Sequence, residues 1–144
     1  MQTYTIGQIA KLFDLPISTL RFYDKEGLFP NLQRSSGIRQ FTDREIETLR
    51  IIECLKKSGL GVKDIKQFIE WCGQGSKTFL QRRELFRRQK ANVEAEIERM
   101  YKVLDVLKYK CWYYEQAVEN GRCIDISADE MPAEIRELYL KIHS

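Results

Sequence analysis

Apolar side chains recur along the first third of the chain at helical spacing, in short bouts closed by proline or glycine. Ile6, Ile9, Ala10 and Phe13 mark one face of a first helix. Thr5 and Gln8 have the spacing of a capping box, which satisfies two orphan amides of the first turn. Asp14 and Leu15 form a joint. Pro16 then suits the first turn of a second helix, where its missing N–H costs nothing, and Gly27 suits that helix's left-handed cap. At about 100° per residue, Ile17, Leu20 and Asp24 fall on one side of the second helix with Tyr23 at the edge. Ser18, Arg21, Phe22 and Lys25 fall on the other.

The pattern shortens after Gly27. GLFPNLQRSSGIRQF alternates polar and apolar residues around Ser35-Ser36-Gly37, which predicts a small hairpin carrying Arg34 and Arg39. Thr42 and Glu45 repeat the capping-box spacing and open a helix of about fifteen residues. Its apolar arc is Ile46, Leu49, Ile52 and Leu55, and Cys54 projects away from that arc. Beyond Gly61, Val62, Ile65, Phe68 and Ile69 predict a further short helix before the break GQGSK.

A different period follows. Phe79, Arg83, Phe86, Lys90, Val93, Ile97, Met100, Leu104, Leu107, Cys111, Tyr114 and Val118 are spaced four and three in alternation, a heptad seam. No Pro or Gly interrupts residues 76–120, so one helix of roughly 65 Å is expected at ~1.5 Å per residue. A helix of that kind cannot bury its seam alone. An identical chain is the simplest partner. Packing on the N-terminal seventy or so residues is the alternative, but they make a much shorter body. In the tail, Ser127 and Glu130 have capping-box spacing, and Ile135, Leu138, Tyr139 and Ile142 give an amphipathic helix after Pro132. The expected fold class is therefore mainly α. A winged helix-turn-helix domain over 1–72 leads through a linker, 73–76, to a coiled-coil dimerisation helix over 77–120. A tail with a short helix, 121–144, completes it.

Charge sharpens the picture. The net charge of +3 is a weak sign on its own, but residues 71–110 carry ten basic and five acidic side chains, and residues 111–144 three and seven. A basic body with an acidic tail suggests that the tail does not touch a polyanion. An outward helical face with Arg21, Lys25, Ser18 and Phe22 suits a DNA groove. Arginine forks onto guanine or phosphate, serine bonds either, and the ring packs on sugar or a thymine methyl. A plain solvated face is the alternative. The order helix, turn, helix, basic hairpin, helix favours the groove, with the hairpin arginines at an adjacent minor groove or backbone.

The segments TIGQIAKLFDLPISTLRFYDKEGLFP, GIRQF and LKKSGLGVKDIKQFI resemble the N-terminal domain of the MerR family of bacterial transcription regulators, over roughly residues 3–71. Phe22 lacks the hydroxyl, and Ile38 the aromatic ring, that the family places there. The resemblance implies DNA contacts from Ser18, Thr19, Arg21 and Tyr23 on the second helix and from Arg39 on the wing, although the helical rotation sets Tyr23 nearer the core. It also implies an antiparallel coiled-coil homodimer on an inverted-repeat promoter with overlong spacing. The dimer would bend and untwist that DNA so that RNA polymerase engages both elements. Because such deformation costs a few kcal/mol, a modest change in dimer geometry would switch transcription.

Three candidates for the signal remain open. Cys54, followed by Lys56 and Lys57, corresponds to a cysteine in the branch that responds to electrophiles, aldehydes or thiol stress; nearby cations favour the thiolate. A packed cysteine is the alternative. Tyr109, Trp112 and Tyr113, with Glu115 and Glu119, could instead hold a flat or cationic small molecule, or else seal the coil against the tail. Cys111 and Cys123 are a weaker candidate for a soft metal, and Cys111 also suits seam packing.

No metal or cofactor is otherwise expected. No phosphate loop or nucleophile–base set appears, and the lone His143 is next to the end, so an enzyme is not expected. With no apolar run of eighteen residues and no charged-then-apolar leader, the expectation is a cytoplasmic protein with free thiols. Rival classes are an effector-free, excisionase-like architectural DNA binder and a coiled-coil scaffold that never meets DNA.

Overall fold

The computed structural model describes residues 2–144. Helix α1 (Ile6–Phe13) begins at Thr5. Thr5 Oγ1 accepts the Gln8 amide at 3.1 Å and Gln8 Oε1 accepts the Thr5 amide at 2.8 Å, the reciprocal cap read from the spacing. The helix closes on Asp14 in the left-handed region, φ 53°. Helix α2 (Ile17–Lys25) follows after a three-residue turn. Pro16 stands at its N-cap, with an extended ψ of 144°, rather than inside the first turn; there its fixed φ lets the chain change direction before the helix starts.

Gly27, φ 84°, ends α2 in a Schellman closure. Its amide donates to the Asp24 carbonyl at 3.0 Å, and the Leu28 amide donates to that of Tyr23 at 2.9 Å. Strands β1 (Gln33–Ser35) and β2 (Ile38–Gln40) pair antiparallel with Arg34 opposite Arg39 and Ser35 opposite Ile38. The turn is thus two residues, Ser36-Gly37, not three. Both have positive φ, the primed geometry whose twist matches that of the strands. Tyr4 pairs with Phe41 through reciprocal backbone bonds of 2.7 and 3.0 Å, tying the end of the hairpin to the start of the chain.

Helix α3 (Asp43–Lys57) opens on the second capping box, where Thr42 N and Oγ1 donate to Glu45 Oε2 at 2.8 and 2.6 Å. Helix α4 (Val62–Gly73), a 3-10 turn (Gly75–Thr78) and helix α5 (Phe79–Asn120) follow. The chain divides into two compact units, Met1–Lys90 and Ala91–Ser144.

The core of the first unit gathers Ile9, Leu20, Tyr23, Leu28, Phe41, Leu49, Ile52 and Ile65, all essentially inaccessible. The start of α5 joins it. Leu85 is 2% exposed, and the Phe86 ring meets Phe68 edge-on with centroids 5.4 Å apart. Gln89 Nε2 donates to the Ser58 carbonyl at 2.7 Å. The glycine-rich break expected as a linker therefore lies inside this unit, where Thr78 Oγ1 donates to the Trp71 carbonyl at 2.7 Å.

In the second unit, helix α6 (Ala133–Ile142) lies against the distal part of α5. Lys141 Nζ meets Asp105 Oδ2 at 2.9 Å, and the Tyr109 and Tyr139 rings lie 5.6 Å apart. Ser127 precedes and Glu130 ends a 3-10 turn (Ala128–Glu130) without a side-chain cap, rather than opening the final helix. The reason is Pro132: the residue before a proline is pushed out of helical geometry, and Met131 is extended at ψ 149°. Among the described residues no helix is long and apolar enough to cross a membrane.

Candidate nucleic-acid interface

Ser18, Arg21, Phe22 and Lys25 project from α2 into solvent on one face, and Phe22 is 47% exposed. Thr19 is half-buried, its amide bonded to the Pro16 carbonyl at 3.0 Å. The inner face carries Leu20 and Tyr23. Tyr23 is 1% exposed. Its hydroxyl donates to Glu53 Oε1 at 3.1 Å and accepts from Lys56 Nζ at 2.6 Å. Tyr23 thus forms the floor of the helix, pinned to the end of α3, and does not share the face of Arg21. Burial raises the phenol above its ordinary pKa; the bond from Lys56 opposes this and Glu53 adds to it. The same bond to Tyr23 raises the Lys56 ammonium.

The hairpin is held by a residue that the helical rotation assigned to the core side. Asp24 Oδ2 accepts from Arg34 Nη2 at 2.8 Å and from Arg39 Nε at 2.7 Å. The Asp24 side chain is only 15% exposed, against 48% for Arg34 and 23% for Arg39. Arg34 and Arg39 are cross-strand partners, a like-charge pair that would repel without the shared carboxylate. Ile38 at the hairpin tip is exposed.

Ser18, Arg21, Phe22 and Lys25 therefore share the outer face of α2, and Arg34 and Arg39 join α2 through Asp24. Sequence reasoning missed the roles of Asp24, Glu53 and Lys56. For Asp24 a signal existed: one acidic residue late in the second helix, followed by a hairpin with two arginines in cross-strand register.

Elsewhere, Cys54 is exposed on α3, and its carbonyl accepts the Ser58 hydroxyl at 3.1 Å. Cys111, where seam packing was an expected role, and Cys123 are also exposed in the single chain. Among the described residues no three His, Cys, Asp or Glu side chains gather as a metal group. The Tyr109 ring lies 6.2 Å from Trp112 and 6.5 Å from Tyr113, while Tyr113 donates to the Ile124 carbonyl at 3.1 Å. A shallow cavity of about 250 Å³ is lined there by Val106, Tyr109, Lys110, Tyr113, Ile142 and His143, without Trp112.

Residues 4–70 match the family model described as MerR HTH family regulatory protein. An HTH-type transcriptional regulator of Haemophilus influenzae is 39% identical over 131 residues, 90% of this chain and 97% of the relative. The crystal structure of HiNmlR, a MerR family regulator lacking the sensor domain, bound to promoter DNA, is 41% identical. It covers 85% of this chain and 98% of its own, with a TM-score of 0.65. A MerR family transcriptional regulator from Bacillus thuringiensis is 44% identical, covering 76% of this chain and 97% of its own, with a TM-score of 0.60.

Proposed function

The chain belongs to the MerR family of helix-turn-helix regulators, and from that premise we propose that it acts as a homodimer on an inverted-repeat promoter operator. Helix α2 enters the major groove. Arg21 reads guanine or grips phosphate, Ser18 and Lys25 bond the backbone beside it, and Phe22 packs on sugar or a thymine methyl. Arg34 and Arg39 reach the flanking backbone from the wing. Tyr23 supports the helix from below. The dimer changes the geometry of the promoter, so RNA polymerase is affected through the DNA.

The observation that carries this reading is the shared exposure of Ser18, Arg21, Phe22 and Lys25 on one face, with two wing arginines braced to the same helix. Arg21→Ala should weaken binding to an inverted repeat from the protein's own upstream region by roughly 1–3 kcal/mol and leave the dimer intact. Anisotropy with a labelled duplex measures the first and sedimentation the second. Unchanged affinity would remove α2 from the interface.

The signal we assign to Cys54. Its thiol is exposed, and its neighbours Glu53 and Lys56 hold the Tyr23 hydroxyl under α2. An aldehyde carbon can accept the Cys54 sulfur while its oxygen takes the thiol proton, giving a hemithioacetal. The added bulk lies one residue from Glu53 and two from Lys56. Cys54→Ser should abolish promoter induction by formaldehyde while operator affinity without aldehyde stays the same. Full induction in that variant rejects the assignment. Tyr109, Trp112 and Tyr113 receive less support as an effector pocket, since Tyr109 and Tyr113 are engaged with the tail.

A further inference from the structure

We propose that Asp24 is a positioning residue for DNA binding: its carboxylate pre-sets both wing arginines for phosphate, so a negative charge on the DNA-facing side tightens the complex. This rests on the reading that the wing meets DNA. Simple electrostatics predicts the reverse, because a carboxylate near a polyanion should repel it.

The geometry decides between the two. One oxygen of Asp24 takes a hydrogen bond from each guanidinium, at 2.8 and 2.7 Å. Arg39 uses Nε for that bond, which leaves its two terminal nitrogens, the pair best shaped for phosphate, unengaged by Asp24. Arg34 uses Nη2 and keeps Nε and Nη1. Each arginine can therefore bridge the carboxylate and a phosphate at once. The cluster of two guanidiniums and one carboxylate keeps a net positive charge. Asp24 is the most covered of the three side chains, so it sits behind the arginines rather than beside the DNA.

Free arginines on a two-stranded hairpin would also repel each other across the register Arg34↔Arg39 and would sample many rotamers. Ordering them on binding costs side-chain entropy, which the braced wing has already lost on folding. The brace fixes spacing as well, since Asp24 belongs to the helix that enters the groove. Helix and wing thus approach the duplex as one rigid piece.

The full-length protein is titrated onto a labelled inverted-repeat duplex at several salt concentrations. Asp24→Asn should bind about tenfold more weakly at fixed salt, the scale of losing one side chain's pre-ordering. Asp24→Glu should recover most of the affinity. Asp24→Asn in an Arg34→Ala/Arg39→Ala background should cost nothing further. Arg39→Lys keeps the charge but lacks the fork, and should also bind more weakly. Equal or tighter binding by Asp24→Asn overturns the proposal. So does the same loss in the double-alanine background, or an Arg39→Lys variant at wild-type affinity. If the wild-type protein shows no salt-sensitive duplex binding, the functional reading falls and takes this proposal with it. If the wild type binds and Asp24→Asn matches it, the proposal falls alone.

Discussion

Tyr23 shows how one side chain serves both the core and the support of α2. Its ring is buried among the core residues, and its hydroxyl closes a small network with Glu53 and Lys56 beneath α2. Tyr23→Phe keeps the ring and leaves the Glu53 carboxylate and Lys56 ammonium without their shared partner. We expect a loss of about 1 kcal/mol in chemical denaturation, the usual net worth of such a bond. The pH dependence has a definite sign. Both the Tyr23 phenol and the Lys56 ammonium have folded-state pKa values above their ordinary ones of 10.0 and 10.5. Their contribution is complete below those ordinary values and is lost as pH rises through the folded ones. The contribution of this pair should therefore not vary with pH near neutrality, and stability should decline in strongly alkaline buffer. Tyr23→Phe should show a shallower alkaline decline. A variant with the wild-type alkaline slope would mean that the network does not contribute.

At the scale of elements, most of the α-helices were legible because their signals are local. Two capping boxes, the glycine caps and the apolar periods of α1, α3 and α4 are written in a few residues each. Less legible features depended on tertiary contact. Leu85 lies off the heptad seam, yet it is one of the most buried residues of the first unit, because the start of α5 packs into that unit's core. A heptad count treats α5 as a single rod and cannot see that its first turns have other neighbours. The Ser127–Glu130 spacing misled for a local reason, the proline two residues on. The Tyr4–Phe41 bridge joins residues far apart in sequence and left no pattern to read. In the candidate interface, the exposed face of α2 followed from rotation alone. Asp24 was misread because rotation sorts residues into inside and outside, and a carboxylate at the boundary between helix and wing is neither.

For the whole molecule, the distal seam poses the remaining energetic problem. In the second unit Val93, Ile97, Met100, Leu104, Leu107, Tyr114 and Val118 are between 42% and 80% exposed, an apolar stripe that a soluble helix does not leave in water without a partner. A second copy can cover it. Residues 77–90 carry six basic side chains and one acidic, whereas residues 111–144 carry seven acidic and three basic. Parallel pairing would set the two basic starts side by side; antiparallel pairing lays each against an acidic end. The seam accepts that arrangement within the second unit: Val93 meets Leu104, and Ile97 meets Met100 next to the two-fold axis. A substitution at Ile97 then strikes the interface twice at its centre. Ile97→Asp should leave each chain folded, because the residue is already 48% exposed in the single chain. Burying two carboxylates a few residues apart should raise the dimer dissociation constant by about a hundredfold or more. Leu140→Asp, exposed on α6 and outside the seam, should remain dimeric. Sedimentation equilibrium at micromolar concentration separates the outcomes. The monomeric Ile97→Asp variant should lose more affinity for a two-half-site operator than for a single half-site, since only the dimer engages both halves. A wild-type monomer, or an Ile97→Asp dimer as tight as wild type, would leave the apolar stripe without its occupant.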